Sequence, residues 1–184
     1  MTFHDSRFSN NIAVKHKNYM TTTNYLAVFD ESELKTVKDH ISKYPEPMAA
    51  VMPLLWMIQD KYGWISTDAM KYVGNLLNIP ADHVFGVATF YTMYFKKPMG
   101  KYHLQICTNV SCMLCGGYEI FNHVSGKLGI KNKEITTDGV FSIEEVECLG
   151  SCATAPMLQI SNKEYYENLT IQSVDKLLDS LAQP

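Results

Sequence analysis

Four of the five cysteines in this 184-residue chain fall into two tight pairs. Cys107 and Cys112 have four residues between them, Cys148 and Cys152 have three, and 35 residues separate the pairs. Each pair is short enough to lie on one loop, so two loops brought together could offer four thiolates to one inorganic centre. Thiolate is the soft, anionic ligand that iron and zinc favour. A two-iron, two-sulfide centre on four thiolates is anionic, and more so when reduced. Backbone N–H groups must answer that charge, and they approach only where the loops lack bulky side chains. Thr108 and Ser111 in the first loop, and Gly150, Ser151 and Ala153 beside the second, meet that demand. The spacing therefore predicts one 2Fe-2S cluster, with Cys107, Cys112, Cys148 and Cys152 as both metal ligands and cofactor-binding residues.

Other readings of the same cysteines stand beside this one. Structural zinc accepts similar spacings, although a zinc site usually replaces a missing core and this domain has apolar residues enough to build one. Cys112-Met-Leu-Cys115 has the two-residue spacing of a dithiol redox site. Cys107, Cys112 and Cys115 together reproduce the opening spacing of plant-type ferredoxins, which would leave Cys148 or Cys152 idle. The two-plus-two scheme is preferred because the Cys148–Cys152 loop is itself compact and rich in small residues; Cys115 is then a partly buried free thiol. No histidine lies within either loop, as a Rieske centre would require. His103 reads as a strand side chain, and Glu144, Glu145 and Glu147 as a solvated strand or loop face. No glycine-rich phosphate loop and no Ser/His/Asp grouping is visible, so no catalytic residue is assigned, and nucleotide or flavin is not expected to bind this chain itself.

The elements that must position the cysteines follow from periodicity. Asp30 caps a first helix carrying Leu34, Val37, Ile41 and Tyr44, with Glu33 in a capping-box position and Pro45 and Pro47 as stops. A second helix spans 48–62, with Val51, Leu55, Ile58 and Tyr62 on its apolar face, Pro53 near its start and Gly63 past its end. Ser66 or Thr67 caps a third bearing Ala69, Val73, Leu76 and Leu77, ended by Pro80, and a short fourth covers 81–88. These pack as a small bundle. Trp56 reads as core, and residues 90–95 (Phe-Tyr-Thr-Met-Tyr-Phe) equally as core or as docking face. After a linker over 96–100, an alternating strand from Tyr102 delivers Cys107. Gly116-Gly117 then precedes a helix with Ile120, Phe121, Val124 and Leu128 inward. Strands follow over 140–146 and 157–160, with a turn at Asn162-Lys163 into Tyr165. Thr170 caps a last helix with Ile171, Val174, Leu177, Leu178 and Leu181 as its stripe. The fold class is α/β (α+β): a flexible tail over 1–29, a helical bundle over 30–95 and a thioredoxin-like domain over 96–184.

Composition agrees with a folded electron carrier. At 46% hydrophobic and 19% charged the chain can build a core, and a net charge of −3 is too mild for a nucleic-acid surface. The densest apolar run, 48–58, is about half the ~20 residues that span a bilayer. No signal-peptide core is visible, so a reducing compartment is expected, where paired cysteines mean metal or redox chemistry rather than disulfides.

Residues 141–156, Phe-Ser-Ile-Glu-Glu-Val-Glu-Cys-Leu-Gly-Ser-Cys-Ala-Thr-Ala-Pro, resemble the signature of the NuoE-type family. That family is the small thioredoxin-like two-iron subunit of NADH:quinone oxidoreductase, respiratory complex I. Gly63-Trp-Ile, residues 86–91 (Gly-Val-Ala-Thr-Phe-Tyr), residues 102–107 and residues 165–170 (Tyr-Tyr-Glu-Asn-Leu-Thr) are also similar to it. The resemblance implies that Cys107, Cys112, Cys148 and Cys152 are the four cluster ligands. It implies a larger flavoprotein partner that binds NADH and FMN, within the peripheral arm of a proton-translocating oxidoreductase. The chain itself is then an electron carrier without a substrate site, neither inserted in the membrane nor bound to nucleic acid. The expected location is cytoplasmic, at the inner face of a bacterial inner membrane, with the mitochondrial matrix side as the alternative. A homologous subunit of an NAD-linked hydrogenase or formate dehydrogenase is a second expectation, and a zinc-stabilised interaction module a remote third.

Overall fold

The computed structural model describes residues 28–182, so the tail expected over 1–29 lies almost wholly outside the described residues. Its last two positions do not behave as a tail. Phe29 is buried, edge-on to Tyr72 at 5.8 Å between ring centroids, because an apolar residue just before a helix cap packs back on the core it introduces. Backbone contacts divide the chain into two compact units, 1–98 and 99–184.

The first unit is helical. Asp30 caps α1 (Glu31–Ser42) with a full capping box: its carboxylate accepts from the Ser32 and Glu33 amides while Glu33 reaches back to the Asp30 N–H. A turn of 3₁₀ helix over Pro47–Ala50 leads into α2 (Val51–Tyr62), so the helix expected from residue 48 starts one turn later. Gly63 ends α2 in the left-handed conformation, φ 76°. Ser66 caps α3 (Thr67–Leu77), which is followed by α4 (Ala81–Phe90). The core is built on Val37, Leu54, Leu55, Ile58, Val73 and Val84, with Trp56 packed against it partly buried. Tyr62, expected on the inner face of α2, is half exposed, its hydroxyl donating to the Val28 carbonyl. The aromatic run divides: Tyr94 and Phe95 are buried, while Phe90 is 78% exposed. Gln59 holds the buried end in place, donating to the Met93 carbonyl and accepting from the Phe95 N–H.

The second unit is a two-layer α/β sandwich. Its elements are β1 (Tyr102–Cys107), α5 (Val110–Leu114), α6 (Gly117–Leu128), β2 (Phe141–Val146), β3 (Leu158–Ile160), β4 (Glu164–Tyr166) and α7 (Ile171–Leu181). The sheet order is β2-β1-β3-β4. β1 and β2 are parallel, as a crossover through α6 requires, whereas β3 and β4 run antiparallel. Alternation sorts the sheet's two faces. Leu104, Ile106, Phe141, Ile143, Leu158 and Ile160 form one core with Ile120, Phe121 and Val124 of α6 and Val174 and Leu178 of α7. The opposite face of β1 and β2 is polar yet buried, carrying His103, Gln105 and Ser142.

That polar face is fully bonded. His103 Nδ1 lies 2.8 Å from Ser142 Oγ and its Nε2 lies 3.3 Å from a Glu144 oxygen, while Ser142 Oγ also accepts from the Gly100 N–H. Glu144, expected on a solvated face, is instead engaged by this histidine and by Lys133 at 3.4 Å. These partners hold its carboxyl below the usual range, the His103 hydrogen bond most of all.

Parallel pairing decides the site. In the β1–β2 ladder Cys107 stands opposite Val146, so both strands end at the same edge of the sheet. The chain that leaves β1 carries Cys112, and the chain that leaves β2 carries Cys148 and Cys152. Antiparallel pairing would have sent the two loops to opposite ends.

Candidate metal centre

The first loop is seated in the fold. Cys107 closes β1, its N–H donating to the Met157 carbonyl, and the Thr108 N–H donates to the Val146 carbonyl. Asn109 then opens α5, its side-chain oxygen accepting from the Val110 N–H. This short helix was not expected from the sequence, although an asparagine after a strand is a recognised helix-start signal. Cys112 sits within it, packed with Cys107. Both are buried in a small cluster with Met157, against which Leu149 and Ala155 pack. Burial pushes the Cys112 thiol up to about 11, aided by Cys107 and opposed by the Met157 N–H.

The start of α6 lies directly on this loop. A Cβ at Gly117 would stand 2.8 Å from the Cys107 carbonyl oxygen and 2.9 Å from that of Cys112. Glycine is required here for close approach of backbone to backbone.

The second loop is open. Cys148 and Cys152 are exposed, with their sulfurs 3.4 Å apart. Gly150 adopts φ 87° between them, which turns its N–H onto the Cys148 sulfur at 3.4 Å. That N–H, and then Cys152, hold the Cys148 thiol below its ordinary range. Cys152 is pushed the other way, chiefly by the Cys148 sulfur. A three-residue 3₁₀ turn, Cys152–Thr154, closes the loop, and a cis peptide joins Ala155 to Pro156.

Two contacts join the loops. Asn109 Nδ2 donates to Glu147 at 2.7 Å, and Leu149 packs against the buried Cys107, Cys112 and Met157. Cys152 is close enough to Cys107 and Cys112 for each to feel the other's charge. The structure thus gathers the four cysteines as two pairs at one sheet edge. Among the described residues, no three His, Cys, Asp or Glu side chains converge where a single ion could be held. Cys115 caps the end of α5 with its side chain exposed. It was expected to be partly buried, but it is exposed at the end of the short helix. Asn109 and Glu147 were missed as contributors because their contact runs across a fold that sequence spacing does not reveal.

A parallel-containing sheet with two helices on one face and four thiols at one edge defines a small thiolate-bearing ferredoxin domain. The family described as "Thioredoxin-like [2Fe-2S] ferredoxin" matches residues 37–182. The chain belongs to that family, and within it to the NuoE type that its motifs resemble. It is 44% identical to a subunit of the NADH-quinone oxidoreductase of Rickettsia bellii, over 83% of this chain and 93% of the relative. It is 39% identical to "NADH-quinone oxidoreductase subunit 2" of Thermus thermophilus, over 85% and 87%. Among solved structures, a chain of an NAD+-reducing [NiFe]-hydrogenase in the H2-reduced state matches with a TM-score of 0.61 at 20% identity. That match covers 71% of this chain but 22% of the hydrogenase chain, and is a likeness of fold alone.

The donor set fits an anionic iron–sulfur group. Four cysteines in two pairs, with the Gly150 N–H aimed at one sulfur, are the combination such a group asks for. No helix among the described residues is long and apolar enough to cross a membrane.

Proposed function

We propose that this chain is an electron-transfer subunit of an NADH:quinone oxidoreductase. In this reading Cys107 and Cys112 hold one iron, and Cys148 and Cys152 the other, of a single 2Fe-2S cluster. The observation that carries it is the delivery of two cysteine pairs to one sheet edge by parallel β1 and β2. Pairs suit a two-iron centre, in which each iron takes two thiolates, better than zinc, whose four donors must surround one point. The relatives' names support the assembly, because they are subunits of that oxidoreductase.

Such a cluster, when bound, supplies the uptake and release of a single electron. The chain's own work is to fix the four sulfurs, to aim amide N–H groups at them and to exclude water from the inner pair. The partner in this reading is a flavoprotein that binds NADH and FMN, and this chain binds neither. The complex would stand at the cytoplasmic face of a bacterial inner membrane, or at the matrix side in a mitochondrion, with proton translocation performed elsewhere in it.

The test is the spectrum of the chain purified without oxygen, with iron and sulfide assayed. Visible absorbance that bleaches with dithionite, and a reduced-state EPR signal from about two irons per chain, are expected. A colourless protein carrying zinc would overturn the reading. The hydrogenase-type fold likeness keeps one alternative, an equivalent subunit of an NAD-linked hydrogenase or formate dehydrogenase. Copurifying subunits separate it from the first.

A further inference from the structure

The exposed cysteine pair has an unusual support. Burial cannot hold Cys148 and Cys152, since both are exposed, and their loop has only a three-residue 3₁₀ turn of regular structure. What meets the loop is the segment that begins in β4. Tyr165 donates its hydroxyl to the Leu149 carbonyl at 3.0 Å. The Asn168 N–H donates to the Thr154 carbonyl at 2.7 Å and the Leu169 N–H to that of Pro156 at 2.9 Å. Between them stands Glu167. A single carboxylate oxygen, Oε1, accepts from Thr154 Oγ1 at 2.7 Å and is bonded also by Ser151 Oγ. The two hydroxyls are 2.7 Å from each other. Ser151 immediately precedes Cys152, and Thr154 ends the turn that Cys152 begins.

We propose that Glu167 is the positioning residue of the second cysteine loop, holding Cys148 and Cys152 in ligating shape through the hydroxyls of Ser151 and Thr154. The inference rests on the cluster reading above. Its physical ground is a pair of charge-assisted hydrogen bonds to the two residues that fix the loop's path on either side of Cys152. Because Glu167 is exposed, its removal leaves the core intact. The effect is therefore local: metal retention and the cluster's electronic signature change, while global stability does not.

The experiment uses the full chain, loaded with cluster anaerobically, in three forms: unaltered, Glu167→Ala and Glu167→Gln. Iron release to a chelator, the reduced-state EPR g values and the thermal midpoint of the apo chain are read for each. Glu167→Ala is expected to release iron about tenfold faster, as loss of a residue that orients a metal ligand does, with shifted g values and an unchanged apo midpoint. Glu167→Gln keeps an oxygen that accepts the same two hydroxyls and is expected to stay within about threefold of the unaltered chain. Release from Glu167→Ala at the unaltered rate, with the same EPR, overturns the proposal. So does equal loss in both variants, which would assign the effect to charge rather than position. Should Glu167→Ala fail to fold, the double variant Ser151→Ala/Thr154→Val removes the donors and keeps the carboxylate, and an unaltered release rate from it overturns the proposal equally. An unaltered chain that never takes up iron and sulfide sinks the cluster reading instead, and the two failures are thereby distinct.

Discussion

The two cysteine loops solve the same problem by opposite means. Cys107 and Cys112 are held by regular structure: a strand end, a short capped helix and an apolar seat with Met157. Cys148 and Cys152 are exposed, shaped by a left-handed glycine and braced by the Tyr165 and Glu167 side chains and the Asn168 and Leu169 N–H groups. The inner loop is fixed because the core around it is fixed, and disturbing it disturbs the fold. The outer loop is fixed by hydrogen bonds that the core does not need. A centre built on both has one rigid flank and one adjustable flank, and the difference can be measured.

The largest effect comes from the proposed ligands themselves. Cys107→Ser and Cys148→Ser are each expected to abolish the reduced EPR signal, whereas Cys115→Ser keeps it. The apo chains should differ. A serine hydroxyl at the buried position costs about 1–3 kcal/mol when unpartnered, while the exposed substitution stays within about 0.5 kcal/mol. Urea unfolding of the metal-free variants reads this directly. A signal lost with Cys115 but retained without Cys152 would break the ligand assignment.

Two glycines sharpen the contrast further. At Gly117 a methyl group meets backbone carbonyls at 2.8 and 2.9 Å, so Gly117→Ala must displace α6 or the loop, at about 1–3 kcal/mol of stability. At Gly150 nothing lies within 4 Å, so Gly150→Ala meets only the left-handed backbone, at about 1 kcal/mol. The first is expected to lower the urea midpoint more, and the second to shift the EPR signal with little loss of fold. Equal midpoints for the two would erase the distinction between the loops.

The smallest effect is one of pH. Glu144 titrates lower in the folded chain than in the unfolded one, through His103 and then the nearby charges of His103 and Lys133. A depressed carboxylate contributes stability that is complete above the unfolded value near 4.5 and is lost as pH falls through the folded value. The midpoint of the native chain should therefore drop on acidification below that range, and Glu144→Gln should flatten that part of the curve. Parallel curves for the two would remove this pair from the account.

Local signals in the chain carried far. Asp30, Ser66 and Thr170 cap helices in the structure as their types suggest, and β1 does end at Cys107. The positions that alternate or recur at helical spacing are, with exceptions such as Tyr62, the buried ones. What could not be read is what depends on partners distant in the chain. Nothing near Glu144 announces His103, and nothing near Glu167 announces Ser151. The helix over Val110–Leu114 is too short for periodicity to show, and with it the exposure of Cys115 was lost. The two cysteine pairs were legible because spacing within a loop is local, while the bringing together of the loops is topology, which parallel pairing supplies.

That pairing also orders events in time. Cys107 and Val146 are far apart in the chain yet adjacent in the ladder, and the entropy of closing the connection between them is lost before the pairing repays it. A growing polypeptide therefore displays its inner thiols well before it has a place for the outer ones. If the four hold the proposed cluster, its capture would certify completed topology, since a half-made sheet offers two of the cysteines and a wrongly paired one offers the pairs at opposite ends.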